Sequence, residues 1–75
     1  MENVIEKFEV ELKAFLEFRY NLSLKQDTVE RFYETEQAAF AFVDDYLLKS
    51  SDLIASDVER STERILNEFI DKKVQ

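Results

Sequence analysis

The chain has 75 residues and a net charge of −7 at pH 7, from 10 Lys and Arg against 17 Asp and Glu, and it contains no Gly, Pro, Cys, His or Trp. The absence of His and Cys removes the usual zinc, haem and iron–sulfur ligands and the Ser-His and Cys-His nucleophile pairs. The absence of Gly removes phosphate-cradling loops and left-handed corners. Most enzyme chemistry is therefore excluded before any motif is considered.

The apolar content is nevertheless that of a folded protein. Hydrophobic residues make up 45% of the chain, and seven Phe and three Tyr are among them. A chain this small buries only about 60% of its unfolded surface, so one domain must rely on efficient helix packing or on self-association. No targeting segment is visible, and the longest apolar run, residues 38–43, is too short to span a bilayer. We expect a cytoplasmic protein without a membrane partner.

The first predicted helix covers residues 4–20. Asn3 and Glu6 form a capping-box pattern at its start. Apolar residues then recur every three or four positions, which is the period of one helix face. They are Val4, Ile5, Phe8, Leu12, Phe15 and Leu16. In the absence of glycine, Asn21 is best suited to a left-handed C-cap, so we expect the helix to end near Tyr20.

The second predicted helix, residues 28–49, is the longest. Two start signals compete, Ser23 with Gln26 and Asp27 with Glu30, and we favour Asp27 because it lies closer to the strong periodicity. An apolar stripe follows on one helix face, and we expect it to face the core. Its members are Val29, Phe32, Tyr33, Phe40, Val43 and Leu47.

The third predicted helix ends near residue 73 and has two alternative starts. Ser56 and Glu59 form another capping box, which gives residues 57–73, whereas an apolar stripe that already includes Ile54 allows a start near residue 53. The later members of that stripe are Val58, Ile65, Leu66 and Phe69. Short connections favour antiparallel neighbours, so the sequence predicts an all-α, three-helix up-down-up bundle. The alternative is a helical hairpin that completes its core by dimerisation.

A second apolar group lies beside the stripe of the second helix. Phe42 and Tyr46 lie roughly 90° or more from the stripe centre, with Ala38 nearby. In one interpretation this helix is central and both flanks are covered. In the other, Phe42 and Tyr46 are exposed anchors for a second copy or another protein, because aromatic residues are enriched at interfaces and a small alanine permits close approach. Phe18, off the main face of the first helix, favours the second interpretation.

Two charged residues occupy positions where apolar residues are expected. Arg19 can bury its aliphatic stem and keep its guanidinium in water. Glu36 lies in the middle of the second stripe, so its carboxyl group must be paired, protonated or placed over a seam open to water. Its candidate partners are Arg19, Arg64 or a second subunit.

The remaining polar residues show no arrangement typical of a catalytic or metal site. Asp44 and Asp45 diverge by about 100° on a helix, which argues against joint metal ligation. A calcium loop needs a glycine at its sharp turn, and no hydroxyl group has an adjacent histidine as base. The sequence therefore predicts no catalytic residue, cofactor, metal or small-molecule substrate.

A helix-turn-helix DNA binder is a minor alternative, because Arg60, Arg64 and Asn67 share the outer face of the third helix. The charge of −7 disfavours contact with phosphates, so nucleic acid is not the expected partner. An acidic protein can instead occupy a basic site on another protein, as a nucleic-acid mimic does. Small helical bacterial immunity proteins and phage-encoded regulators are similar in size and acidity, without a shared motif.

The sequence therefore predicts a non-enzymatic protein that acts through protein–protein contact and self-associates. The alternative is an acidic inhibitor of the immunity or nucleic-acid-mimic type, including a phage or mobile-element regulator, that blocks a basic site. Salt separates the two hypotheses, because carboxylate-dominated binding weakens steeply with ionic strength and apolar binding does not.

Overall fold

A computed structural model describes residues 4–22 and 27–74. These residues form three helices, α1 (Val4–Leu22), α2 (Thr28–Lys49) and α3 (Ala55–Val74), and no strand. All three helices pack against one another, which confirms the predicted all-α three-helix bundle. No helix in these ranges has the length and apolarity needed to cross a membrane.

Helices α1 and α2 run antiparallel. The ring of Phe8, early in α1, meets Tyr46, late in α2, with ring centroids 5.1 Å apart. At the other end of the pair, Tyr20 meets Phe32 at 5.4 Å. The aromatic contacts therefore fix both the direction and the register of α2 on α1.

Helices α1 and α3 run parallel. Arg64 Nη2 lies 2.6 Å from Glu9 Oε2, and a little more than two turns further along both helices Lys73 Nζ lies 3.1 Å from Glu17 Oε2. Because α2 is antiparallel to α1, it is also antiparallel to α3. The connectivity is therefore up-down-up.

The core is built around α1. Phe8, Leu12, Leu16 and Tyr20 recur every four residues on its inner side and are all buried. The opposing helices supply the remaining buried apolar residues, which are Ala39, Val43, Val58, Ile65, Leu66 and Phe69. The stripes predicted for α1 and α3 thus contribute their central members to the core.

The stripe predicted for α2 is only partly correct. Val29, Tyr33 and Phe40 are exposed, at 78%, 64% and 45%. The centre of the inner face carries Thr35 and Ala39 instead. Small side chains at this position let α2 approach the other helices closely, and the larger side chains flank the contact. A pattern that weights each position by its apolarity therefore misplaces the inner face of α2.

The adjoining ends of α1 and α2 show one confirmed prediction and one correction. The predicted cap of α2 is confirmed, because Asp27 Oδ1 accepts a hydrogen bond from the Glu30 backbone N–H at 3.0 Å. The expected left-handed cap at Asn21 is wrong, because α1 continues to Leu22 and no described residue has a positive φ. Arg31 of α2 donates instead to the Tyr20 carbonyl at 3.2 Å, so a side chain from the next helix satisfies a carbonyl of the last turn.

The start of α3 lies between the two predicted positions. The backbone N–H groups of Asp57 and Val58 both donate to the Ile54 carbonyl, at 3.0 and 3.1 Å, so the helix begins at Ala55. Ser56 lies inside the first turn and is not the N-cap, which corrects that prediction. Leu53, just before this turn, is partly buried against the core. This contact holds the chain at a position before Ser56, so the helix begins earlier than the capping pattern indicates. The other predicted starts, at Asn3 and Ser23, lie outside the described residues.

Candidate functional site

The predicted anchor residues Phe42 and Tyr46 lie between α2 and α1. Phe42 stacks on Phe15 with ring centroids 4.7 Å apart, and Tyr46 contacts Phe8 edge-on. Both rings are half-buried and pack against the core. The two rings thus lie against α1, as expected if the second helix is central, and they are not an exposed anchor pair. Their sequence signal, apolar residues off the main stripe, reflects the second covered flank of α2.

The Tyr46 hydroxyl is held by a carboxylate of α1. Its hydrogen bond to Glu11, together with partial burial and the negative charge of Glu11, raises the pKa of Tyr46 to about 12. The phenol is therefore neutral at physiological pH and acts as a donor to the neighbouring helix. This interaction is suited to holding α2 on α1 rather than to acid–base chemistry.

Ala38 and Phe18 lie at the outer edge of the same helix pair. The contacts of Phe15 with Phe42 and of Arg19 with Glu34 place Phe18 and Ala38 at the same level of the antiparallel pair. Ala38 is half-buried, whereas Phe18 is 62% exposed. We call this surface, defined by Phe15, Phe18, Ala38 and Phe42, the α1–α2 seam.

A groove opens on the opposite flank of α2, between α2 and α3. It has a volume of about 480 Å³, within the range of roughly 300–1,000 Å³ typical of ligand sites. We call it the α2–α3 groove. Its apolar lining residues are Phe40, Val43, Leu47, Leu66 and Ile70. Of the predicted α2 stripe, the buried Val43 thus forms part of the groove floor, and Phe40 and Leu47 lie towards its open side.

The charged residues of the α2–α3 groove are all acidic. Glu36 and Asp44 contribute from α2, and Glu59 and Glu63 contribute from α3. The two other lining residues, Thr62 and Asn67, are neutral. None of the four carboxylates has a cation within 4.0 Å among residues 4–22 and 27–74. An apolar floor between unpaired carboxylates is therefore open to solvent.

Glu36 and Arg19, the two charged residues predicted to be buried or paired, have different environments. Arg19 is half-buried and pairs with Glu34 of α2 at 3.0 Å. Glu36 is half-buried and lies over the seam between α2 and α3, which is one of the situations expected from the sequence. Its expected partner Arg64 contacts Glu9 and Glu68 instead.

Two carboxylates of α1, Glu9 and Glu17, differ from those of the groove because cations of α3 pair with them. Glu9 shows the effect most clearly. Partial burial disfavours its charge, but hydrogen bonds from Ser61 and Arg64 and the charges of Arg64 and Lys13 outweigh burial and lower the pKa of Glu9. Lys73 pairs with Glu17 in the same way. Arg19, Arg64 and Lys73 thus pair with carboxylates at the interfaces of α1, and none of the three lines the groove.

Other chemistries find little support in the described residues. No group of three or more His, Cys, Asp or Glu side chains in them is arranged to hold a metal ion. Arg60, Arg64 and Asn67 do lie together on the outer face of α3, but Glu63 and Glu68 share that surface and Arg64 is engaged in ion pairs. Acidic side chains therefore lie among the three residues that a DNA-binding helix would use to contact bases.

The sequence pattern places Phe40, Val43, Leu47 and Leu66 in core-facing stripes. Of these, Phe40 is exposed at the edge of the groove, whereas Val43 and Leu66 are buried. The signal that separates the two assignments is Glu36, a carboxylate in the middle of an apolar stripe. A sealed core would leave this charge without water, whereas a groove keeps it hydrated. No protein-family model, curated protein or solved structure matches the chain.

Proposed function

We propose that the protein is not an enzyme and acts through protein–protein contact, with the α2–α3 groove as its contact surface. The observation that carries this proposal is the open apolar floor bordered by four unpaired carboxylates. Removing apolar surface from water stabilises an interface by about 25 cal/mol per Å². A hydrophobic centre with a polar border is also the usual anatomy of a protein interface.

The apolar surface extends beyond the groove along α2. Val29 and Tyr33 are exposed and lie on the same side of the helix as Phe40. From Val29 to Leu47, at 1.5 Å per residue, the apolar edge is about 27 Å long. Isolated exposed apolar residues need no explanation, but several exposed apolar residues along one side of a helix, next to an open groove, are typical of an interaction surface.

A second candidate function is inhibition of a basic site on another protein, and the acidic border of the groove favours it. Both candidates use the same groove and differ in which contacts dominate the affinity. Dominant carboxylate contacts predict that binding weakens steeply between low and moderate salt, whereas dominant apolar contacts predict little change.

We retain self-association as a separate proposal and assign it to the α1–α2 seam. Two copies joined symmetrically through the groove would bring their acidic borders together, which is unfavourable. The seam instead presents the exposed ring of Phe18 beside the small side chain of Ala38 and the ion pair of Arg19 with Glu34.

The variants Phe40→Glu and Phe18→Glu form a matched pair for testing the contact surface. Each replaces an exposed phenylalanine and adds one negative charge, the first at the groove and the second at the seam. Tagged wild-type protein and both variants are used to capture proteins from a lysate of the native host, after circular dichroism has shown equal helicity. We expect a set of proteins retained by the wild type and by Phe18→Glu and lost by Phe40→Glu.

A capture profile that Phe40→Glu leaves unchanged would overturn the assignment of the groove. Loss in Phe18→Glu alone would move the contact surface to the α1–α2 seam. A specific enzymatic activity of the purified wild-type protein would contradict the non-enzymatic part of the proposal.

A further inference from the structure

Building on the proposed function, we propose that the occupant of the α2–α3 groove is an amphipathic helix of a partner protein, with an apolar face bordered by Lys or Arg. Helix-in-groove binding is a recurring mode of recognition in which apolar anchors at helical spacing enter the groove. Three features of the groove determine this choice: its charge, its length and its position between two antiparallel helices.

The negative charge of the groove determines which residues should flank the apolar face of the partner helix. Every charged residue that lines the groove is a carboxylate, and none is neutralised by a described residue. An acidic or neutral partner would leave these carboxylates without compensation while it displaced their water. Lysine or arginine side chains keep their heads in water and lay their aliphatic stems along apolar surface, so they fit both the border and the floor.

The distribution of the carboxylates also gives the partner a polarity. Asp44 lies near the end of α2, and Glu59 and Glu63 lie in the first turns of α3. Because α2 and α3 are antiparallel, these three lie at one end of the groove, and Glu36 lies towards the other. The partner helix should therefore carry more of its positive charge at the end that meets the connection between α2 and α3.

The shape favours a helix over a second copy or a small molecule. A groove between two antiparallel helices runs along their axes. Its α2 wall, from Glu36 to Leu47, is about 17 Å long. The exposed residues Val29 and Tyr33 extend the apolar side of α2 to about 27 Å, which matches a helix of about 18 residues at 1.5 Å per residue. A second copy would bring a further set of carboxylates to the same border. A small molecule would leave the exposed edge at Val29 and Tyr33 uncovered.

The test uses three labelled synthetic peptides of 18 residues. The first has leucines at positions i, i+3, i+4 and i+7 with lysines bordering them, the second replaces the lysines with glutamates, and the third scrambles the first. Fluorescence anisotropy measures their binding to the full chain at low and moderate salt. We expect saturable binding of the lysine peptide alone, with an affinity that falls as salt rises.

A pair of charge-matched variants separates groove binding from general attraction to an acidic protein. Glu59→Gln with Glu63→Gln removes two charges from the groove, and Glu6→Gln with Asp45→Asn removes two exposed charges that do not line it. Two lost ion pairs, at roughly 0.2–1 kcal/mol each, should raise the Kd of the groove variant about two- to thirtyfold. The control variant should raise it less than about twofold, as expected for distant screened charges.

Equal weakening by the two variants, equal binding of the glutamate or scrambled peptide, or no saturable binding of the lysine peptide would each overturn the inference. The proposed function is judged separately by the capture experiment. Loss of captured proteins in Phe40→Glu together with no peptide binding would reject the basic helix and keep the groove as contact surface. Failure of both experiments would reject both proposals.

Discussion

Replacing Phe42 with alanine should destabilise the bundle far more than replacing Phe40, although the two residues are two positions apart on the same helix. Phe42 is half-buried and stacks on Phe15 at 4.7 Å, whereas Phe40 is 45% exposed at the edge of the groove. The periodicity of the sequence alone predicts the opposite order, because it places Phe40 in the core stripe and Phe42 beside it. The pair therefore tests how α2 is rotated in the bundle.

The magnitudes follow from burial. Truncation of a fully buried Phe costs about 3–5 kcal/mol, and an aromatic pair contributes about 0.5–1.5 kcal/mol beyond area burial. For the half-buried Phe42 we expect a loss of about 2–3 kcal/mol, and for the more exposed Phe40 about 1 kcal/mol or less. The whole domain is worth roughly 4–11 kcal/mol at 0.05–0.15 kcal/mol per residue. Phe42→Ala should thus lower Tm by about 10–20 °C, and Phe40→Ala by less than about 8 °C.

The assay is urea and thermal unfolding of the wild type and both variants, followed by circular dichroism at 222 nm and at one protein concentration. A fixed concentration matters because self-association would make Tm depend on concentration. Unchanged urea m-values in both variants would show that the free energies are comparable. A loss of stability in Phe40→Ala equal to or greater than that in Phe42→Ala would refute the orientation of α2 and the groove with it.

Three further predictions test other parts of the structure. The tyrosinate absorbance of the wild type minus that of Tyr46→Phe should show a transition near pH 12, and Glu11→Gln should lower the pKa of Tyr46. Because the raised pKa means that folding favours the neutral phenol, this contribution to stability is lost as the pH rises from about 10 towards 12. A transition near pH 10 would contradict the hydrogen bond. Thr35 is 1% exposed and its hydroxyl has no hydrogen-bond partner in the described residues, so Thr35→Val should stabilise the protein by about 1 kcal/mol in urea unfolding. Thr62→Val removes a 2.7 Å hydrogen bond to a backbone carbonyl and should destabilise the protein by about 1 kcal/mol. The reverse order of stabilities would contradict these hydrogen-bonding environments. Light scattering at about 100 μM, a concentration well above a Kd of micromolar order, should give a mass above that of the monomer. Phe18→Glu should restore the monomer mass. A monomeric wild type would refute self-association.

Much of the fold could be predicted from the sequence because local signals and tertiary structure agree. Helix periods are strong in α1 and α3, and their buried residues Phe8, Leu12, Ile65 and Phe69 follow the predicted stripes. Asp27 caps α2 as its side-chain chemistry indicates. These features depend on residues within one or two turns of one another, so a single sequence contains the information.

The rotation of α2 could not be predicted in the same way, because it depends on what the neighbouring helices present. The α1 rings of Phe8 and Phe15 cover Tyr46 and Phe42, and this contact turns Phe40 outward. Counting apolar residues around a helical wheel gives equal weight to the two flanks of α2. It gives little weight to the small side chains at the centre of the contact between helices. Similarly, the end of α1 depends on the Arg31 side chain from another helix, which no local capping rule contains.

The candidate site was visible in the sequence only as a conflict. Glu36 interrupts an apolar stripe, and that interruption is compatible with a buried ion pair, a protonated acid or an open seam. The structure removes the ion pair with Arg19 or Arg64, because both contact other carboxylates, and it places Glu36 at the open seam between α2 and α3. Which carboxylates are paired is a property of three helices together.

Mapping of the lysine-bordered peptide on the protein by amide chemical shifts in two-dimensional NMR tests the central claim most directly. If the peptide binds in the α2–α3 groove, the largest shifts lie along it, at Phe40, Leu47, Leu66 and the residues beside them, and the outer face of α1 changes little. Largest shifts at Phe18 and along the α1–α2 seam, or small shifts spread evenly over the acidic surface, would contradict the assignment of the groove as the contact surface.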